Sequence, residues 1–308
     1  MVDQGIDGTP KGDFRSGFCA FIGRPNAGKS TLMNALVGEK VAITSPAPQT
    51  TRRAIRGIRT TEAGQLVVVD TPGLHRPRTL LGQRLGDVVR DTMAEVDVVG
   101  FCLPADEKVG PGDRYIAEAI SQLKVPKVAI VTKTDTTAPK KIREQLLAVS
   151  DLGDFTEIVP VSAVANDQVE LLRDLLIAQL PEGGLLYPAE DVTDDGIETR
   201  IAEFVREAAL AGAREELPHS IAVTIEEMIE STRGDGQPFS KIYATIHLER
   251  KSQKPIVLGA GGEKLKTIGI TARRDVEALL GHRVHLDLHV AIMADWQRDP
   301  KKLDRLGF

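Results

Sequence analysis

The sequence has few cysteines, few aromatic residues and no long apolar run. Only two cysteines occur among 308 residues, Cys19 and Cys102, so neither a disulfide framework nor a cysteine-rich zinc site is available. No stretch approaches the roughly 18 apolar residues of a membrane-spanning helix, and the N-terminus lacks the apolar core of a signal peptide. These absences favour a reducing cytoplasmic location and leave peripheral membrane contact open.

Positive and negative charges are nearly balanced. The chain has 39 Lys and Arg against 44 Asp and Glu, a net charge of −5. This balance excludes a uniformly basic nucleic-acid binder but allows a local basic patch. With 42% hydrophobic residues over 308 positions, the composition is that of a soluble globular protein of two domains.

The pattern divides the chain into four stretches. Residues 1–16 are polar and aperiodic, which predicts a disordered tail. From 17 to 182, short apolar runs such as QLVVV and VAIVT alternate with helical patterns. This alternation predicts an α/β domain with a mostly parallel sheet and helices on both faces. Residues 183–196 are rich in Pro, Gly and Asp and are predicted to be a linker.

The last stretch, 197–308, has a different order of elements. An amphipathic helix is predicted from Ile197 to Ala213, followed by two strands of alternating polarity around a Gly-Asp-Gly-Gln-Pro turn. Two helices separated by a glycine turn come next, and a final strand closes the order. The sequence therefore predicts an α+β second domain.

Residues 23–30 match the phosphate-loop pattern G-x-x-x-x-G-K-[ST] between a predicted strand and a predicted helix. Glycines let backbone N–H groups surround phosphate oxygens, while Lys29 reaches the β- and γ-phosphates and Ser30 offers a hydroxyl to Mg²⁺. The residues predicted to hold the nucleotide here are Gly23, Arg24, Pro25, Asn26, Ala27, Gly28, Lys29, Ser30 and Thr31.

Three shorter motifs follow at the ends of predicted strands. Asp70-Thr-Pro-Gly73 places a carboxylate for Mg²⁺ and a glycine N–H that can detect a γ-phosphate. Asp135 ends the run Thr-Lys-Thr-Asp and can accept two hydrogen bonds from guanine that adenine does not offer. Ser162-Ala163 follows the next strand. Together these motifs favour GTP over ATP.

The order GRPNAGKS, QTTR, DTPG, TKTD and SA resembles the five nucleotide motifs of the translation-factor-related GTPases. The resemblance implies that Thr51, or else Thr50, is the switch I threonine. It also implies that the Mg²⁺ ligands are Ser30, Thr51 and Asp70, and that the guanine site comprises Thr132, Lys133, Asp135, Ser162 and Ala163. Thr132 stands where the family has an asparagine, so lower nucleotide affinity is expected.

The catalytic groups are less evident than the binding groups. Leu74 occupies the position where Ras-like GTPases carry a glutamine that orients water. Related GTPases with an asparagine at the position of Asn26 bind K⁺ beside the phosphates. Such an ion would offset the negative charge that develops on the leaving group during hydrolysis. The alternative is that Asn26 only closes a turn. His75 is a weaker candidate for a base. The residues predicted to support hydrolysis are Lys29, Thr51, Gly73 and Asn26.

A second motif lies in the C-terminal domain. Gly259-Ala-Gly-Gly262 separates a short helix from a long one, as in the G-x-x-G loop of KH domains, and the strand order resembles type II. Seven Lys and Arg against two Glu give residues 248–274 a net charge of +5, which favours RNA over a merely solvated basic face or a plain glycine turn. The predicted RNA contacts are Ile256, Gly259, Ala260, Gly261, Gly262, Lys264 and Lys266.

The two halves together resemble the Era family of bacterial ribosome-assembly GTPases over roughly residues 17–308, including the run IVLGAGGEKLKTIGITARRD. The implied fold is an α/β P-loop GTPase domain followed by an α+β type II KH domain. The implied ligands are GTP or GDP and Mg²⁺. The implied role is that of a monomer that binds near the 3′ end of small-subunit (16S) ribosomal RNA during 30S assembly, with weak inner-membrane contact.

Two other functions remain open at this stage. A metabolic P-loop kinase is disfavoured by Asp135 and by the lack of an acceptor-site motif. A GTPase of tRNA modification, or of membrane or cell-cycle regulation, would use the KH-like part as an interaction scaffold.

Overall fold

The computed structural model describes residues 13–45, 50–74, 79–211 and 220–308. Gln49 of the QTTR motif, His75 and residues 1–12 of the predicted tail lie outside these ranges. The described chain forms two compact units, the first made mainly of residues 13–42, 50–74 and 84–194 and the second mainly of 195–211 and 220–308. Residues 43–45 and 79–83 group with the second unit.

A six-stranded sheet forms the centre of the first unit, in the order β2-β3-β1-β4-β5-β6. All neighbouring strands are parallel except β2, which runs antiparallel to β3 at one edge. The central strands β3 and β4 are buried throughout because both faces of the sheet are covered. The strands are β1 (Arg15–Ile22), β2 (Ile55–Thr60), β3 (Gly64–Asp70), β4 (Val98–Pro104), β5 (Lys127–Thr132) and β6 (Glu157–Pro160).

Helices cover both faces of this sheet, as predicted. The five helices are α1 (Lys29–Val37), α2 (Leu80–Glu95), α3 (Pro111–Ser121), α4 (Pro139–Ser150) and α5 (Val169–Ala178). Residues of α1 and α5, such as Leu36 and Leu172, form one core layer, and residues of α3 and α4, such as Ile116 and Val149, help to form the other. Both cysteines are buried, and burial raises the pKa of Cys102 to about 12, so its thiol stays protonated.

Two predicted boundaries differ from the structure. The predicted tail extends to residue 16, but Phe14 is buried and β1 begins at Arg15 because the chain pairs with β3 there. Residues 183–194, predicted as linker, group with the first unit and are here called the edge segment. Buried Gln65 donates to Tyr187 O and accepts from the Leu186 and Tyr187 N–H groups, and Ile58 N–H donates to Val192 O. The edge segment is rich in Pro and Gly and therefore has no helix or strand periodicity, but it still packs against the sheet of the first unit.

The second unit begins with α6 (Ile197–Leu210), whose C-cap is Ala211; residues 212–213 of the predicted helix lie outside the described ranges. It continues with β7 (Ile221–Thr232), β8 (Pro238–Leu248), α7 (Lys254–Leu258), α8 (Glu263–Leu280), β9 (Arg283–Ile292) and α9 (Pro300–Arg305). β8 pairs antiparallel with β7 and parallel with β9. Apolar residues of α6 and α8 pack on one face of this sheet, which confirms the predicted α+β order. None of the helices within the described ranges is both long and apolar enough to cross a bilayer.

Candidate functional site

The phosphate loop connects β1 to α1 at the carboxyl edge of the parallel sheet. Asn26 (φ 62°) and Gly28 (φ 85°) adopt left-handed conformations, which glycine and asparagine tolerate better than other residues. Gly28 is also the N-cap of α1. The turn therefore ends at a helix N-terminus, where backbone N–H groups and the helix dipole favour an anion.

Lys29 is the buried cation of this loop. Its Nζ lies 3.2 Å from Arg24 O and 3.4 Å from Gly23 O, and within the described ranges no carboxylate comes within ion-pair distance of it. Burial lowers the pKa of Lys29, while the charge of Asp70 opposes this shift. An ammonium group held by carbonyl oxygens alone is a position that phosphate oxygens would stabilise.

Three oxygen-bearing side chains meet next to Lys29. Asp70 Oδ2 accepts hydrogen bonds from Ser30 Oγ at 2.5 Å and from Thr51 Oγ1 at 3.0 Å, and the two hydroxyl oxygens are 3.0 Å apart. Burial raises the pKa of Asp70, whereas Lys29 and the two hydroxyl donors lower it. Asp70 Oδ1 is also buried, with no hydrogen-bond partner among the described residues.

This donor set fits Mg²⁺, which prefers oxygen ligands and is commonly bound by few protein groups plus phosphates. Thr51 is the QTTR threonine whose hydroxyl donates to Asp70 in this set. No group of three or more His, Cys, Asp or Glu that could hold a metal by itself occurs in the part of the chain that the structure describes. A metal here would therefore depend on the nucleotide for some of its ligands.

The DTPG motif lies against the phosphate loop. A Cβ atom on Gly73 would come within 2.6 Å of Pro25 N, so only glycine permits this approach of the two backbones. Leu74 N–H donates to Gly23 O at 3.2 Å, which joins the two loops directly. The DTPG backbone at Gly73 and Leu74 therefore packs directly against the phosphate loop.

A cavity of about 220 Å³ lies at the end of β5 and β6. Its lining includes predicted residues from the phosphate loop, the TKTD motif and the SA motif: Gly28, Thr31, Thr132, Lys133, Asp135 and Ala163. Ser162 does not line it, but Ser162 Oγ donates to Asp135 Oδ1 at 2.7 Å and orients that carboxylate. The arrangement suits a planar base read by Asp135.

Sequence reasoning missed four further residues of this cavity, Leu32, Thr136, Val161 and Val164. Each is adjacent to a motif residue along the chain or one helical position beyond it. Their proximity to the motifs was the only available signal, because apolar and threonine side chains carry no chemical signature of base binding.

Thr132 replaces the expected asparagine but still connects two loops. Its Oγ1 donates to Ala27 O of the phosphate loop at 2.7 Å and lies 3.4 Å from Leu103 O at the end of β4. Thr132 is buried, so this hydroxyl has no competing water. The threonine hydroxyl thus connects the end of β5 to the phosphate loop.

The predicted RNA loop lies between α7 and α8. Gly259 has φ 71° and ψ 178°, and a Cβ atom there would come within 2.7 Å of Lys264 Cβ. Gly261 and Gly262 also have positive φ. The loop therefore requires glycine for its backbone path, and it exposes Ile256 beside it while Val257 is buried. Lys266 lies on the first turns of α8 and is exposed.

Comparisons with known proteins match families to both the first and the second unit of the chain. A family described as a 50S ribosome-binding GTPase matches residues 18–133, and a KH domain family matches residues 216–297. The GTPase Era of Streptomyces coelicolor is 60% identical over 301 residues, covering 96% of this chain and 95% of that protein.

Two solved structures resemble the whole chain. One is Era in complex with MgGDPNP and nucleotides 1506–1542 of 16S ribosomal RNA, with 35% identity, a TM-score of 0.91 and coverage of 96% of this chain and 99% of that one. The other is Aquifex aeolicus Era Y63A bound to GDP.AlF4⁻, with 35% identity, a TM-score of 0.90 and the same coverage. The chain therefore belongs to the Era family of GTPases, which joins a P-loop GTPase domain to a KH domain.

Proposed function

We propose that this protein is a Mg²⁺-dependent GTPase of the cytoplasm that binds 16S ribosomal RNA near its 3′ end and acts in assembly of the small ribosomal subunit. The observation that carries the proposal is a complete set of guanine-nucleotide groups and a basic glycine loop in one chain. The choice of 16S ribosomal RNA as the ligand is supported by the solved Era structure in complex with MgGDPNP and 16S nucleotides. That structure matches nearly the whole length of this chain.

In the nucleotide site, Lys29 would bind the β- and γ-phosphates, and Asp135 would read the guanine edge. Ser30, Thr51 and Asp70 would hold Mg²⁺, which neutralises charge on the phosphates when it is bound. Gly73 would donate its backbone N–H to the γ-phosphate, so its position would change when that phosphate is lost. These roles would couple hydrolysis to a change in the DTPG motif, Asp70 to Gly73.

Hydrolysis must proceed without a glutamine after the DTPG motif, since Leu74 cannot orient water. We infer that a K⁺ ion bound near Asn26 supplies the missing charge stabilisation. The left-handed conformation of Asn26 serves either this role or a simple turn. The GTPase rate in KCl is expected to exceed the rate in NaCl, and Asn26→Asp or Asn26→Ala should remove the difference. Equal rates in both salts would exclude K⁺ as a cofactor.

The central experiment measures affinity for a single-stranded fragment from the 3′ end of 16S ribosomal RNA at fixed salt with a GTP analogue, GDP or no nucleotide. Fixed salt is needed because charge dominates such binding. Tighter, sequence-dependent binding with the GTP analogue is expected. Weak binding that ignores sequence and nucleotide would instead favour a GTPase whose KH domain serves another partner, in tRNA modification or membrane regulation.

Matched variants separate the two halves of the proposal. Lys29→Ala should abolish GTP binding, and Asp135→Asn should shift preference away from guanine. Gly259→Asp combined with Gly262→Asp should remove RNA binding but leave intrinsic GTPase activity unchanged, because the added charges repel RNA phosphates and belong to the unit that carries none of the nucleotide motifs. Unchanged GTP affinity in both nucleotide-site variants would refute the assignment.

Two finer parts of the proposal depend on the family resemblance alone. The protein is proposed to be a monomer, which light scattering coupled to gel filtration tests directly. Peripheral contact with the inner membrane is tested by co-flotation with anionic vesicles, and failure to float at low salt would remove this part.

A further inference from the structure

Two cations of the nucleotide site are held by carboxylates that belong to none of its motifs. The connection from β4 to α3 carries Asp106 and Glu107, and α3 carries Asp113 in its first turn. We call Asp106, Glu107 and Asp113 the acidic brace. None of the three lines the base cavity.

Arg24, the second residue of the phosphate loop, has the stronger attachment. Its Nε donates to Asp113 Oδ1 at 2.7 Å and its Nη1 to Glu107 Oε2 at 2.9 Å. The Asp113 side chain is 1% exposed and the Arg24 side chain 27%, so this charge-assisted bond is partly shielded from water, and removing Arg24 would leave a buried carboxylate without its cation. Gly112 leaves the space for Arg24, because a Cβ atom there would lie 3.0 Å from Arg24 Cδ.

The backbone of Arg24 links this attachment to the nucleotide site. Its carbonyl oxygen accepts from Lys29 Nζ at 3.2 Å and from Ala27 N–H at 3.3 Å. A change in the position of Arg24 would therefore be transmitted to the lysine that binds phosphate. Asp106, which precedes Glu107, pairs with the TKTD motif (residues 132–135, here called the guanine loop), since Asp106 Oδ2 lies 3.5 Å from Lys133 Nζ.

We propose that the acidic brace is a positioning element that keeps the phosphate loop and the guanine loop in register, with Asp113 acting through Arg24. The inference rests on the nucleotide-binding part of the proposed function. It does not depend on RNA. Its consequence is slow release of nucleotide, because both loops are held in the bound arrangement before the nucleotide arrives.

The test measures GDP dissociation from the full chain with a fluorescent GDP analogue. Asp113→Asn keeps an acceptor for Gly110 N–H, which Asp113 Oδ2 receives at 2.8 Å, so the start of α3 should be preserved. The variant is expected to release GDP about tenfold faster. A change of this size is typical of the interaction energy between contacting residues. The KM for GTP should rise while kcat stays within about twofold, since the chemical groups are untouched. Glu118→Gln, an exposed acid-to-amide change on the same helix, should behave as wild type.

A double-mutant cycle distinguishes positioning from general structure. If Asp113 acts through Arg24, the variant with both Arg24→Gln and Asp113→Asn should release GDP no faster than Arg24→Gln alone, and Arg24→Lys should recover part of the loss. Wild-type release from Asp113→Asn, or additive effects in the double variant, would overturn the proposal. If Asp113→Asn does not fold, Arg24→Gln against Arg24→Lys carries the test. Failure of the wild-type chain to bind GDP would instead refute the proposed function.

Discussion

Replacing Thr132 with valine tests whether a threonine can serve in place of the family's asparagine. The two side chains have the same shape, so Thr132→Val removes only the hydroxyl that donates to Ala27 O at 2.7 Å. Losing such a bond, with a buried carbonyl left unpaired, costs about 1–2 kcal/mol. Because Ala27 belongs to the phosphate loop, we expect most of this cost to appear as weaker nucleotide binding. GDP affinity should fall about 5- to 30-fold.

The assay is titration calorimetry with GDP at constant Mg²⁺. Thr132→Ser keeps the hydroxyl and should bind nearly as tightly as wild type. Thr156→Val is the matched control, since Thr156 Oγ1 donates to Lys127 O at 3.0 Å in an exposed position away from the site. If Thr132→Val binds GDP as well as wild type, the hydrogen bond to Ala27 does not support the site.

Three other predictions concern packing and protonation. Gly73→Ala should lower GTP hydrolysis at least tenfold, because its Cβ would meet Pro25, while Gly86→Ala in a helix should not. Gly259→Ala should weaken RNA binding about tenfold in a gel-shift assay, with Gly269→Ala as control. Burial lowers the pKa of His247, so protonation of this side chain favours the unfolded chain. The melting temperature should therefore fall as the pH drops below about 6.5, the ordinary pKa of histidine. In His247→Gln the fall in melting temperature with pH should be smaller.

The sequence allowed the nucleotide motifs to be located because their chemistry requires particular residues at strand ends. Asp70 and Asp135 follow apolar strands, and the parallel sheet brings those strand ends to one edge. The same logic did not find β2, whose sequence IRGIRT places arginines between its apolar residues and resembles a loop. Its strand conformation depends on pairing with β3, a long-range interaction that local pattern does not encode.

The acidic brace was equally inaccessible from sequence. Asp106, Glu107 and Asp113 look like ordinary surface acids in a chain with 44 of them. Only the folded arrangement shows that Asp113 is buried and paired with Arg24. The role of Thr132 depended on the fold for a similar reason, since its partner Ala27 lies 105 residues away.

The edge segment has a practical consequence for dividing this protein into parts. It occupies the outer side of β2 by way of the Ile58–Val192 hydrogen bond, the bridge between Gly57 and Thr193, and the Arg56–Asp194 ion pair. Uncovered sheet edges invite pairing with a second molecule and lead to aggregation. A GTPase fragment truncated after residue 182 would lose this cover and should aggregate, whereas a fragment that ends after Asp194 should stay dispersed. The safe place to cut therefore lies a dozen residues beyond residue 182, where the sequence pattern predicts that the first domain ends.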